Sequence, residues 1–179
     1  MKKLSATARL TSCAMTTALG VLFMFAASAL PAGRLGFLFL ASLVIWIPLG
    51  ERNGLIPALL CYLATAAVTF LIVPNKLYFA LYAGFFGLYG FIKLGVDTVI
   101  GDRIIAFIIK LIIMNAIAAA GVYFGSKIIG QNVFSLIPEY PIVLMILVTE
   151  AAFIAYEILY SLLIKLFDER IRTVIIPRR

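Results

Sequence analysis

Lys110, Glu150 and Glu157 stand inside otherwise apolar runs of a chain that is 64% hydrophobic and 13% charged. Ionisable groups in such surroundings pair with one another, carry protons or bind a polar ligand. Glu150 and Glu157 are seven residues apart, so a helix sets them on one face with Ile154 and Ser161. Lys110 and Asn115 add polar groups to the preceding apolar run. A charge left alone in hydrocarbon costs about 2.5–3.5 kcal/mol even on the lenient insertion scale. Each of these groups therefore requires a partner, water or a change of protonation state.

Many familiar chemistries are excluded. The chain has no histidine, which removes Ser-His-Asp and Cys-His nucleophilic sites, histidine-ligated metals and a histidine proton shuttle. Cys13 and Cys61 are isolated in sequence, with no CxxC pair, and read as apolar filler in separate spans. No GxxxxGK[ST] occurs, so any ATP hydrolysis belongs to another subunit. No catalytic residue, metal site or cofactor is assigned.

The elements that position the ionisable groups are six apolar stretches joined by short connections carrying Gly, Pro, Asn or charge. A small soluble domain has no place for so much apolar surface, and a helical span needs about 20 apolar residues. The expected fold is an all-α integral membrane protein, a six-transmembrane-helix bundle forming one domain over 1–179. Its helices run at about 10–30, 35–49, 54–73, 77–92, 104–125 and 141–167. Pro31 to Arg34, Pro48 to Asn53 and Pro74 to Lys76 are breaks, whereas Pro57 falls in a first turn, where a missing N–H does little harm. Lys93 to Arg103 reads as a charged connection and Ser126 to Tyr140 as a longer loop. The first stretch imitates a signal peptide with Ala27-Ser28-Ala29 as a cleavage site, but five further spans favour a retained helix.

The net charge of +7 sits at segment ends and points to lipid headgroups rather than nucleic acid. With the N-terminus inside, the inner connections hold Lys2, Lys3, Arg9, Arg52, Lys93, Arg103, Lys165, Arg170, Arg172, Arg178 and Arg179. The outer ones hold Arg34, Lys76 and Lys127. This asymmetry places both termini in the cytoplasm. At about 1.5 Å per residue, Lys110 lies roughly 10 Å and Glu157 roughly 15 Å from the inner ends of their helices. These depths suit a Lys110–Glu157 ion pair. Glu150, roughly 25 Å from the inner end of the same helix, has no basic partner at its depth and is the best candidate ligand group. Asn115, Tyr82 and Tyr156 are the accompanying ligand candidates. The alternative for Glu150 is a protonated carboxyl or one bonded to a nearby Tyr or backbone group. Tyr78, Tyr82, Tyr89, Tyr156 and Tyr160 suit a wall for a flat heteroaromatic ligand, although packing or an interfacial belt is the commoner use. Gly84, Gly87 and Gly90 permit close helix approach or a local break.

Thr7, Thr11, Ala14 and Ala18 recur at three- and four-residue steps in the first helix, a small-residue face on which another helix can pack. Ala14-Met15-Thr16-Thr17-Ala18 is an AxxxA arrangement. With six spans, both termini inside and no ATPase motif, the chain resembles the substrate-binding S components of energy-coupling-factor (ECF) vitamin transporters. The run LPAGRLGFLFLASLVIWIPLGERNGLIPALLCYLATAAVTFLIVPNKLYFALYAGFFGLYGFIK is similar to such proteins of Gram-positive bacteria. The resemblance implies a bacterial plasma-membrane subunit binding a vitamin or related micronutrient, partnered by a T component and two ABC ATPase subunits. It implies docking of Ala14 and Ala18 on the T component, and an outward-opening ligand pocket formed largely by helices four to six. The lids would be Pro31 to Arg34, Pro74 to Lys76 and Ser126 to Tyr140, the first of them very short for this family. Two other readings stay open on the residues. One is a scaffold membrane protein of the MreD-like kind. The other is a small ion-coupled carrier or membrane enzyme, for which the Glu pair permits proton coupling, although no inverted repeat or catalytic cluster is seen.

Overall fold

The computed structural model describes residues 6–51, 54–129, 142–167 and 169. The described residues are mostly helical, with no strand among them. The helices are α1 (Ala6–Ala29), α2 (Arg34–Val44), α3 (Trp46–Leu49), α4 (Leu55–Ile72), α5 (Lys76–Leu81), α6 (Gly87–Val99), α7 (Arg103–Ile129) and α8 (Ile142–Leu166), with a π-helical turn, Tyr82–Phe86, joining α5 to α6. Five stretches are long and apolar enough to cross a membrane: Thr7–Ala29, Leu55–Ile72, Lys76–Val99, Arg103–Gly121 and Ile146–Leu166. Arg34–Leu49 is a shorter apolar segment. Among the described residues the protein is thus mainly helical, with five to six helices long and apolar enough to cross a membrane, and its exposed side chains include Leu22, Ile56, Leu71, Ile112 and Leu159, as a lipid-facing surface requires.

Local chemistry sets the ends. Pro31 stops α1, and the Arg34 guanidinium donates from Nε to the Leu30 carbonyl at 3.0 Å, satisfying one of the last acceptors of that helix. Gly33 begins α2 at φ 77°, a left-handed conformation that glycine adopts without a Cβ clash. Between α2 and α3, Pro48 lacks the N–H that would bond the Val44 carbonyl, and the helix is interrupted at Ile45. The Asn75 side chain accepts from the Leu77 N–H at 3.0 Å and starts α5. The Asp102 carboxylate accepts from the Ile104 and Ile105 N–H groups at 2.8 and 3.4 Å and starts α7. Lys76 donates to the carbonyls of Val73, at 3.1 Å, and Phe70 at the end of α4, where the helix dipole favours a cation.

Two compact units divide the chain, Met1–Ala118 and Ala119–Arg179. In the first, successive segments alternate chain direction. Cys13 meets Pro57 and Gly20 meets Thr65, so α1 and α4 run parallel. Arg9 lies 3.9 Å from Glu51, joining the start of α1 to the end of α3. The segment Arg34–Leu49 therefore returns the chain across the length of α1, although its 16 residues reach only about 24 Å at 1.5 Å each. The core of this unit holds Met24, Ala27, Leu38, Ala41, Ala58, Tyr82 and Tyr89. In the second unit, α8 buries Phe153, Glu157, Tyr160 and Ile164, a single stripe at helical spacing.

Helix α1 begins at Ala6 rather than near residue 10 and the expected 35–49 helix is split into α2 and α3; two further boundaries bear on the charged residues. Helix α6 continues past residue 92 to Val99, and α7 past residue 125 to Ile129. The charged segment 93–99 stays helical because its charges are paired within the fold, as described below. Most of the loop expected at 126–140, and most of the basic tail, lie outside the described residues.

Candidate functional site

Four arrangements in the fold bear on function. The first is a groove of about 1240 Å³ between α1 and α4. Ala14, Thr17, Ala18 and Val21 form one wall, and Leu60, Ala64 and Val68 belong to the other. Gly20 lies behind it, where an added Cβ would stand 3.0 Å from Thr65 Cγ2, so the two backbones are as close here as small residues allow. Ala14 and Ala18 are both exposed. Their small side chains leave space that leucine would fill. The two cysteines also meet on this seam: Cys61 Sγ donates to the Cys13 carbonyl at 3.6 Å, and Cys13 Sγ to the Pro57 carbonyl at 3.8 Å. Their proximity could not be read from 48 residues of separation; it depends on the rotation of both helices.

The second arrangement is the π-helical turn. Widening a helix by one residue releases carbonyls from the regular i→i+4 ladder. Here the Tyr62 hydroxyl of α4 donates to the Ala83 carbonyl at 2.6 Å. The Tyr62 ring lies over Gly87, so close that a Cβ there would come within 2.6 Å of Cε2. Tyr82 and Phe91 flank the same ring, each with centroids 5.9 Å away. Tyr82 is fully buried, so this ligand candidate belongs to the interior of the first unit. The glycines of the AGFFGLYG run thus divide in role: Gly87 receives Tyr62, whereas Gly84 has open space around its Cβ position.

The third is ionic. Lys110 Nζ lies 2.9 Å from Asp97 Oδ1, and Lys93 Nζ lies 3.3 Å from Asp97 Oδ2. Lys93 and Lys110 are 7% and 4% exposed, while the Asp97 side chain is 41% exposed. Asp97 is thus a partner of Lys110 that sequence reasoning missed. The missed signal was the i,i+4 spacing of Lys93 and Asp97, which supports a continuing helix rather than a connection.

The fourth is the face of α8. Glu157 is buried and hydrogen-bonded with Ser161, one turn on. Tyr156 stacks with Tyr160 at 5.6 Å and with Phe153 at 6.5 Å, forming an aromatic ladder along the helix. Glu150 is half-buried. Seven residues separate it from Glu157, so the acids share a side of α8; Tyr156 lies about 240° around the helix from Glu150. Asn115 is exposed on α7, about 140° around from the buried Lys110. Of the expected sets, Ala14 and Ala18 come together in one groove, whereas Lys110 and Asn115 point to different sides of their helix.

Among the described residues no group of three or more Cys, Asp or Glu side chains is placed to hold a metal ion. Compared with protein-family models, with curated proteins and with solved structures, the chain finds no match.

Proposed function

We propose that this chain is the membrane-embedded substrate-binding subunit of an ECF-type importer for a vitamin or related micronutrient, energised by a T component and two ATPase subunits. The observation that carries the reading is the α1–α4 groove, whose wall holds the exposed Ala14 and Ala18. A lipid-facing depression walled by small residues is a place where a partner helix reaches backbone-level packing. The excess of Lys and Arg on one set of connections supports cytoplasmic termini. The alternating directions of α1, Arg34–Leu49 and α4 accord with that orientation.

In this reading Glu150 on α8 is the acid of the ligand site. Helix α8 brings an aromatic ladder and two carboxyl groups into an apolar setting, a composition suited to a small heteroaromatic or amine-bearing solute. Glu150→Gln is expected to weaken ligand binding at least tenfold, about 1.4 kcal/mol, with assembly unchanged. Isothermal titration of the purified protein checks this, and unchanged affinity removes Glu150 from the site.

Native mass spectrometry on protein extracted gently with its membrane partners tests the whole reading. A complex containing two ATPases and a further membrane subunit is the expected result. A bare, ligand-free chain across several mild detergents overturns it in favour of a scaffold role.

A further inference from the structure

The chain holds two cysteines, and the fold brings them together across 48 residues of sequence. At the α1–α4 seam Cys61 Sγ donates to the Cys13 carbonyl at 3.6 Å, and Cys13 Sγ to the Pro57 carbonyl at 3.8 Å. Pro57 stands one turn before Cys61, so each sulfur reaches across to the backbone of the other helix. The Cys61 thiol is also within hydrogen-bonding reach of the Cys13 thiol and of the Thr17 hydroxyl. Both cysteines are free thiols.

Exposure divides the pair. Cys13 is partly exposed and Cys61 is buried, yet both line the groove of about 1240 Å³ between the two helices. Leu10, Ile56 and Leu60 line the same groove and are themselves exposed, so the thiols are approached through apolar surface. A partly exposed thiol beside a second thiol that can resolve its sulfenic acid is the arrangement of oxidant-responsive cysteines. Sulfurs that already touch each other and the opposing backbones need little movement to bond, since a disulfide joins helices whose Cα atoms stand about 4.4–6.8 Å apart. An oxidant that reaches them along this groove leaves water for apolar surroundings, which selects an organic hydroperoxide, such as an oxidised acyl chain carries, over a polar peroxide.

We propose that Cys13 and Cys61 form a paired oxidation site for apolar organic hydroperoxides. The Cys13 sulfur attacks the terminal peroxide oxygen and the O–O bond breaks. The leaving alkoxide takes the thiol proton and departs as an alcohol, and Cys13 becomes a sulfenic acid. The Cys61 sulfur then attacks the Cys13 sulfur, and the displaced hydroxide leaves as water with the Cys61 proton. Two thiols and one hydroperoxide thus give one disulfide, one alcohol and one water; the thiols lose the two electrons that the peroxide gains. The new bond ties α1 to α4 across the groove. This chemistry is independent of the importer reading.

The test uses the full-length protein, reduced, freed of reductant and held in an uncharged detergent, with cumene hydroperoxide as probe and hydrogen peroxide as the polar comparison. Alkylation and intact mass count the thiols that remain. Cumene hydroperoxide is expected to remove both thiols within a single chain, and dithiothreitol to restore them. The oxidised protein is expected to unfold about 5 °C or more higher, because the bond constrains the unfolded chain. Each rate being taken relative to that with free cysteine, cumene hydroperoxide is expected to react about tenfold faster than hydrogen peroxide. Cys61→Ser is expected to stop at a Cys13 sulfenic acid, captured by dimedone, and Cys13→Ser to slow loss of the Cys61 thiol about tenfold or more. Retention of both thiols, a bond between two chains, or equal relative rates for the two peroxides overturns the proposal. Loss of Cys61 at an unchanged rate in Cys13→Ser does so too. Should a variant fail to fold, the thiol count and the two rates on the unaltered protein decide.

Discussion

Helix α4 is finished differently on two of its sides. Toward the π-helical turn the seam is closed: the Tyr62 ring covers Gly87, and its hydroxyl takes up the Ala83 carbonyl. Toward α1 the seam closes only behind, where Gly20 meets Thr65, and stays open along Ala14, Thr17 and Ala18 as a groove of about 1240 Å³. Both sides depend on small residues, with different results. A glycine opposite a large ring gives a filled joint that holds the fold, whereas Ala14, Thr17 and Ala18 facing Ala64 leave a vacancy that a second body can fill. Small-residue spacing alone does not distinguish the two; the size of the residue opposite does.

Substitutions on the two seams separate these roles. The largest effect is expected at Gly87→Leu, whose side chain enters space held by Tyr62; overpacking of this kind costs about 3 kcal/mol. A lowered midpoint in thermal unfolding checks it, and an unchanged midpoint would mean the turn yields easily. Tyr62→Phe keeps the ring and removes the donor to Ala83, with an expected loss of about 1 kcal/mol from a half-buried acceptor left without its bond. Equal stability of the two proteins would assign the seam to packing alone. The smallest effect on stability belongs to Ala14→Leu combined with Ala18→Leu, within about 0.5 kcal/mol because both positions are exposed. The same pair is expected to abolish substrate uptake and co-purification of the partner subunits. Retained uptake would break the contrast by making the groove a passive feature of the lipid face.

Hydropathy and the Pro and Gly breaks were enough to locate the long apolar helices, because hydrocarbon forces every backbone polar group into a helix. Helix α4 was expected at about 54–73 and runs Leu55–Ile72. What depends on rotation was not legible. Lys93 and Asp97 read as part of a loop, since a cluster of charge ordinarily marks solvent; only a partner on α7 keeps them helical. Tyr82 read as a ligand candidate, although packing is the commoner use of such tyrosines, and it is buried in the core of the first unit. The adjacency of Cys13 and Cys61 and the partnership of Lys110 with Asp97 belong to the same class, contacts between elements whose azimuth no spacing within one helix reveals. The glycines of the fourth span did announce a local break, but not that Tyr62 would mend it.

The π-helical turn also acts as a phase setter for everything that follows it. Each residue advances an α-helix by about 100°, so the residue accommodated in Tyr82–Phe86 determines the compass bearing of the rest of the span. Phe86, Gly90, Lys93 and Asp97 form one line along that span, and this line carries the charges that meet Lys110. Shortening the turn by a single residue at Gly84, where there is open space, would restore an ordinary helix. It would also swing Lys93 and Asp97 about a quarter-turn away from α7. The aromatic joint and the ionic corner are therefore one mechanism in torsion: the offset introduced at the first sets the alignment of the second.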